Sequence, residues 1–146
     1  MPEAAFARSQ AMIEWLLDRP WLALLARCAV ALPFLLSGLA KLTDFGAALA
    51  EVRGLTGLEP AWLFAVLVIA TQLGGSLLLI VGGRFAWVGA AALAGFTAIA
   101  TLYAHAFWLK PEAERFLHRN IFFEHVAIAG GLILLAILSS RQARAR

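Results

Sequence analysis

Charged residues are scarce in this chain. Only 14% of its 146 residues are Asp, Glu, Lys or Arg, whereas 62% are hydrophobic. Soluble domains average about 25% charged and about 45 to 50% apolar residues. A soluble protein of this composition would need helices that are hydrophobic on every side, and those helices would need a much larger protein around them. The composition therefore indicates an integral membrane protein.

Cysteine is nearly absent as well. A single cysteine, Cys28, excludes an intrachain disulfide and a paired-cysteine motif, and we interpret it as a small buried hydrophobic residue. The chain also lacks a P-loop, a Rossmann glycine fingerprint, a nucleophile elbow and a haem-attachment motif. No recognised catalytic signature is left, so whether the protein is an enzyme stays open.

Long runs without charge are the main positive feature. No charged residue occurs in 60–83, 85–109 or 125–140, and 21–40 is apolar except for Arg27. About 20 helical residues cross a bilayer core of roughly 30 Å. The sequence therefore predicts an all-α fold, an integral membrane four-helix bundle in one domain, 1–146. Its antiparallel transmembrane helices are expected at 21–42, 61–81, 85–107 and 121–138.

Shorter segments flank these spans. Residues 1–20 carry apolar side chains near one side of a helix, which predicts a short N-terminal interfacial helix. This mixed-charge stretch is unlike a signal peptide, so we expect the first span to be retained. Residues 139–146 form a basic tail, and residues 45–53 have the pattern of a short amphipathic helix.

The charge distribution gives a weak orientation. Apart from Arg27, the basic residues divide six to five between the side of the termini and the opposite side, and the arginine-rich tail favours cytoplasmic termini. We therefore expect a multi-pass protein of a bacterial-type inner (plasma) membrane, in contact with the lipid bilayer. No basic stripe with interleaved aromatic residues is present, so nucleic acid is not an expected partner.

Polar residues within the spans are candidate functional residues. Arg27 lies about 9 Å into the first span at 1.5 Å per residue, so it should face the bundle or reach towards the headgroups. Gln72 is its best available hydrogen-bond partner inside the membrane. Thr97, Thr101 and His105 are spaced i, i+4 and i+8, which places them on one face of the third helix.

Five ionisable residues are expected at the membrane boundary opposite the termini: Lys41, Asp44, His105, Glu124 and His125. They could relay protons to a redox-active headgroup, or they could simply anchor helix ends. A metal is disfavoured because no H-x-x-x-H or H-E-x-x-H spacing occurs. Haem would require the rings of His105 and His125 to face each other.

Four stretches resemble the DoxX family of membrane proteins: RCAVALPFLLSGLAKLTDF, QLGGSLLLIVGGR, FTAIATLYAHAFW and FFEHVAIAGGLILL, which together cover about 16–138. The resemblance implies a four-helix membrane bundle in a quinone-linked redox system, because named relatives are subunits of archaeal terminal quinol oxidase or thiosulfate:quinone oxidoreductase assemblies. One position departs from the family, which commonly has a glutamate where this chain has Gln72. That glutamate would pair with Arg27.

The leading hypothesis is a membrane protein that binds a quinone-like or other lipophilic headgroup and serves a redox partner. Lys41 would contact an oxygen of the headgroup, His105 and His125 would exchange protons with it, and Glu124 would orient one histidine. Asp44 would complete the ligand-binding set. The inner polar support would be formed by Arg27, Gln72 and Thr101.

Two alternatives remain. The protein could be a noncatalytic scaffold or assembly factor that contacts a partner protein. It could also form a pathway for protons or small solutes, which we rank last because its polar residues cluster at the span ends. The cofactor stays unknown, with a quinone as the candidate, and a homo-oligomer is left open.

Overall fold

The computed structural model describes residues 2–144, and within them every regular element is helical. Residue 1 of the predicted interfacial helix and residues 145–146 of the predicted tail lie outside this part of the chain. The α-helices are α1 (Pro2–Leu17), α2 (Pro20–Thr43), α3 (Phe45–Thr56), α4 (Ala61–Val81), α5 (Ala86–Ala104) and α6 (Glu112–Arg144). Four segments are long and apolar enough to cross a membrane: α2, α4, α5 with its flanking turns, and α6. The predicted all-α membrane bundle is confirmed.

The boundary between α1 and α2 follows from its local sequence. Pro20 occupies the first turn of α2, where its missing N–H needs no partner. The guanidinium of Arg19 lies 3.6 Å from the centre of the Trp15 ring. The apolar side chains of α1, including Ile13 and Leu17, are exposed, as expected of a helix that rests on lipid.

The bundle packs through small residues between α4 and α5. A Cβ atom added at Gly89 would lie 2.5 Å from the carbonyl oxygen of Gly75 and 2.9 Å from the backbone nitrogen of Leu79. Close backbone approach of this kind is a usual way for helices to pack in lipid. The buried cluster around this contact joins all four spans through Phe34, Leu79, Leu93 and Leu132, among other residues.

Helix α3 packs against the start of α4. Its buried residues Ala48 and Val52 contact Ala61 and Ala65. The helix ends at Gly57, whose φ of 66° is the left-handed conformation that glycine adopts without strain. The predicted amphipathic segment is therefore helical, and its apolar side forms one wall of the bundle.

The last two helices differ in extent from their predicted bounds. Helix α5 ends at Ala104, short of residue 107, and α6 begins at Glu112 rather than at residue 121. Pro111 precedes α6, and acidic Glu112 and Glu114 lie in its first turn, where they interact favourably with the helix dipole. The charged stretch expected to be a connection is thus the first part of one long helix.

Candidate functional site

A cavity of about 780 Å³ lies among α2, α3, α4 and α5, in the half of the bundle opposite the termini. Its wall is mainly apolar and includes Val52, Leu55, Phe64, Val68, Phe96 and Ile99. Polar side chains also reach it, among them Ser37, Lys41, Glu51, Gln72 and His105. Small-molecule sites have this size and this mixture, a mostly apolar wall with a few polar groups that orient the ligand.

Lys41 faces this cavity and not the lipid. Its Nζ atom donates a hydrogen bond to Ser37 Oγ at 3.1 Å and lies 2.9 Å from Glu51 Oε2 of α3. The Lys41 side chain is only 16% exposed, whereas that of Glu51 is 48% exposed. The lysine is therefore an ion-paired residue between α2 and α3, and its partner Glu51 is absent from the predicted set.

Gln72 presents an unpaired polar atom at the same wall. The residue is 3% exposed, and its Nε2 atom donates to Ser37 Oγ at 3.1 Å. Its Oε1 atom has no hydrogen-bond partner among the described residues. If the amide is turned over, Nε2 becomes the unpaired atom instead. A buried polar atom without a partner costs about 1 to 3 kcal/mol, and a bound molecule could supply the missing partner.

The three histidines of the chain form one cluster beside the cavity. His105, at the C-cap of α5, has its ring centre 5.1 Å from those of both His118 and His125. The Nδ1 atoms of His105 and His118 lie 2.9 Å apart. Since an imidazole nitrogen either donates or accepts, one of these two atoms carries the proton and the other accepts it.

Thr101 sets the tautomer of His125. The threonine hydroxyl donates to the Thr97 carbonyl oxygen at 2.6 Å, and the same Oγ1 atom lies 2.9 Å from His125 Nδ1. A hydroxyl has one proton, which is already used, so Nδ1 of His125 must donate to Thr101. Thr101, which was predicted to belong to the inner polar support with Arg27 and Gln72, therefore contacts His125.

His118 was missed by sequence reasoning. It lies between the expected spans 85–107 and 121–138, so it was not counted among the residues at the membrane boundary. Once α6 is extended to Glu112, His118 and His125 stand at i and i+7, nearly two full turns apart and on one face. This spacing was the available signal.

Three of the predicted ligand residues do not line the cavity: Asp44, Glu124 and His125. Asp44 is the N-cap of α3, where its Oδ1 atom accepts the Ala47 N–H at 2.9 Å, as short acidic side chains do at helix starts. Glu124 is exposed, and its carboxylate has no hydrogen bond or ion pair with any described residue. Adjacent residues of a helix point about 100° apart, so Glu124 does not orient His125.

Arg27 and Gln72 are not brought together. The Arg27 guanidinium lies against Gly82, at the end of α4, about 15 Å along that helix from Gln72 at 1.5 Å per residue. Helical side chains point back towards the N-terminus of their helix, so Arg27 reaches towards the side of the termini. A glutamate in place of Gln72 would therefore face Lys41 and Ser37 and not Arg27.

Metal-ligand geometry is not found in the described part of the chain, where no group of three or more His, Cys, Asp or Glu residues could hold an ion. Both Nδ1 atoms of His118 and His125 are engaged with neighbouring side chains. Within the cluster a hydrogen bond joins His105 to His118, and a ring contact joins His105 to His125.

Four helices able to span a membrane, three of which line a mixed apolar and polar cavity together with α3, define a multi-pass membrane protein. The DoxX family model matches residues 22–106, more than half of the chain, and the protein belongs to the DoxX family. The matched residues include Lys41, Gln72 and His105 but end before α6, which supplies His118 and His125. Neither a curated protein nor a solved structure matches the chain.

Proposed function

We propose that this DoxX-family protein binds a quinone-like molecule, or another lipophilic molecule with a polar headgroup, in the cavity among α2 to α5. It acts there as a subunit or partner of a membrane redox system, in an inner membrane with both termini in the cytoplasm. The observation that carries the proposal is the unpaired amide atom of Gln72, buried at an apolar wall beside the Lys41–Glu51 ion pair.

The cavity favours a lipophilic ligand over a small hydrophilic solute. Apolar side chains of α3, α4 and α5 make most of its wall, and burial of apolar ligand surface against them contributes about 25 cal/mol per Å². Four of its polar side chains are joined by hydrogen bonds and an ion pair at one place in the wall: Ser37, Lys41, Glu51 and Gln72. A molecule with one polar end and one apolar end matches this division.

Lys41 and Gln72 are the groups that would hold the headgroup. A lysine ammonium has three protons, and two of them are directed to Ser37 and Glu51. The third is available to a carbonyl or anionic oxygen of the ligand. The amide of Gln72 would supply a second polar contact once its buried, unpaired atom turns towards the cavity, so a flat headgroup with two polar substituents would be oriented by both side chains.

The histidine cluster offers a route for protons. His105 lines the cavity, its Nδ1 atom contacts His118, and His118 Nε2 lies 3.7 Å from the carboxylate of exposed Glu114. Oxidation of a quinol to a quinone releases two protons and two electrons. The protons would leave through His105 and His118 towards Glu114, and the electrons would pass to the redox partner protein.

Ligand binding to the purified protein tests this proposal. In mild detergent we expect quinones or similar lipids to co-purify with the wild-type chain and to be detected by mass spectrometry of the extract. Added quinone should raise the melting temperature, because a ligand that binds only the folded state stabilises it. Lys41→Met and Gln72→Leu should lose both effects.

Glu124→Gln is the matched control. It removes an ionisable residue at the same end of the bundle, but one that lies outside the cavity, so ligand binding should be unchanged. If no lipophilic molecule co-purifies and quinone leaves the melting temperature unchanged, the proposal is wrong and the noncatalytic scaffold is favoured. Equal ligand binding by Lys41→Met and the wild type would show that the site lies elsewhere.

A further inference from the structure

A second cavity lies at the end of the bundle that carries the termini. Its volume is about 1030 Å³, and it is enclosed by α2, the turn between α4 and α5, the first residues of α5 and the last turn of α6. Among the described residues that line it, the charged side chains are three arginines, Arg27, Arg84 and Arg144, and none is acidic. The two cavities share no described lining residue, so this cavity is a separate place from the proposed headgroup site.

None of these arginines forms an ion pair with a described carboxylate. Among all described residues, the basic partners in ion pairs are Lys41, Arg53 and His118, and none of them lines this cavity. Arg84 stacks on Phe85, with 4.8 Å between the guanidinium carbon and the ring centre, and Arg144 donates to Ser140. Arg27 rests against Gly82. Three like charges around one cavity repel each other unless an anion lies between them.

Arg27 in particular would be stabilised by an anion in this cavity. It belongs to a membrane-spanning helix, and an arginine inside a span is costly unless it is paired or reaches the headgroup region. Its side chain points towards the end of the bundle, where the other two arginines lie. All three guanidinium groups therefore lie around one cavity at the end of the bundle that carries the termini, where a spanning helix reaches the headgroup region.

We propose that this cavity binds the phosphate group of an anionic membrane lipid. Arginine is the preferred side chain for phosphate, since its planar guanidinium donates two parallel hydrogen bonds, and basic pockets between spanning helices bind such headgroups. Beside the arginines, the cavity is lined by Phe85, Trp87 and Val88, which are exposed. These apolar side chains would contact the glycerol and upper acyl chain, which free phosphate lacks.

A bound lipid would join parts of the fold that pack little against each other. Helix α2 packs on α4, while its direct contact with α6 is small. A phosphate held by Arg27 of α2, Arg84 of the turn and Arg144 of α6 would bridge all three segments. The lipid should therefore stabilise the folded protein and not merely adhere to its surface.

The test compares lipids on the full-length chain in detergent micelles. Phosphatidylglycerol should raise the melting temperature by about 5 °C or more above the value in phosphatidylcholine, and native mass spectrometry should detect it on the protein. Inorganic phosphate at the same concentration should give a much smaller rise. Arg27→Gln and Arg84→Gln should each lose at least half of the gain from phosphatidylglycerol.

Arg115→Gln is the control, because it makes the same change in net charge at the opposite end of the bundle. It should keep the full gain. Arg84 is exposed on a turn, so its variant is expected to fold even if Arg27→Gln does not. Equal melting temperatures in the two lipids, or equal gains in Arg84→Gln and Arg115→Gln, would overturn the proposal. So would an equal rise with inorganic phosphate, which would assign the site to a free anion.

Discussion

The Nδ1 atoms of His105 and His118 lie 2.9 Å apart, although one residue caps α5 and the other belongs to α6. Together with the contact of His125 and Thr101, this hydrogen bond joins the two helices beside the cavity. Either nitrogen can carry the shared proton, so the pair can pass a proton without moving its rings.

The shared proton can be observed directly by NMR. In protein labelled with ¹⁵N-histidine, we expect a scalar coupling between the Nδ1 atoms of His105 and His118 across their hydrogen bond. His118→Ala should abolish it, whereas Thr101→Val, which removes the partner of His125, should leave it intact. Only three histidines occur in the chain, so single variants suffice for assignment. A wild-type spectrum without this coupling would contradict the contact.

A glutamate in place of Gln72 should interact with Lys41 and not with Arg27. Gln72 and Lys41 both bond to Ser37 Oγ at 3.1 Å, while Arg27 lies at the far end of α4. In a double-mutant cycle, Gln72→Glu combined with Lys41→Met should show a coupling energy of about 1 kcal/mol or more. The combination of Gln72→Glu with Arg27→Gln should be additive. Chemical denaturation in detergent measures both cycles, and coupling only to Arg27 would mean that α2 is turned differently.

Gly89 should not accept a side chain. A Cβ atom there would meet backbone atoms of α4 at 2.5 and 2.9 Å, and overpacking of this kind typically costs about 1 to 3 kcal/mol. Gly89→Ala should therefore lower the free energy of unfolding by about that amount. Gly74→Ala is the matched control, since a Cβ at Gly74 meets nothing within 4 Å. Equal stability of the two variants would show that α4 and α5 are farther apart.

Acid should weaken the junction between α3 and α4. The Arg53 guanidinium donates to Glu59 Oε1 at 2.7 Å, the Ala61 N–H donates to Oε2, and these bonds hold the pKa of Glu59 below its usual range. Because the folded-state pKa is depressed, the stabilisation is fully present above the unfolded-state pKa of about 4.3. It is lost as the pH falls from there through the lower folded-state pKa.

The melting temperature measured between pH 6 and pH 3 checks this expectation. Between pH 6 and pH 3, the melting temperature of Glu59→Gln should fall less than that of the wild type. The difference should be small because the carboxylate is exposed. Asp44→Asn serves as a comparison, since it alters a carboxylate at the other end of α3. An identical fall in melting temperature for the wild type and Glu59→Gln would argue against the ion pair.

Lys41 and Glu124 show how much of the site could be predicted from the sequence. Both were placed at the correct end of the bundle, because the distance of a residue from the end of a charge-free run gives its depth in the membrane. Depth does not say in which direction a side chain points. Lys41 turned out to face the cavity and Glu124 to be exposed, and nothing in the apolar pattern of α2 or α6 distinguishes these outcomes.

Helices in lipid explain this gap. In a soluble protein the polar face of a helix marks its outer side, but a spanning helix is apolar on all sides and its rotation has no such marker. The pairing of Lys41 with Glu51 could not be predicted for the same reason, since it depends on how α3 lies against α2 and α4. The His105–His118 contact was further hidden by the charged start of α6, which composition alone assigned to a connection.

Composition and the spacing of charges by themselves determined a four-span, all-helical membrane protein with polar groups at the boundary opposite the termini. Only the tertiary structure decided which of those groups meet. Its packing brings Glu51 to Lys41 and His118 to His105, and it directs Arg27 to the end of the bundle that carries the termini. The physical reason is that helical periodicity relates only residues within one helix. Contacts between helices depend on the rotation of each helix about its axis and on the angle at which two helices cross. Close packing of small residues such as Gly75 and Gly89 sets both.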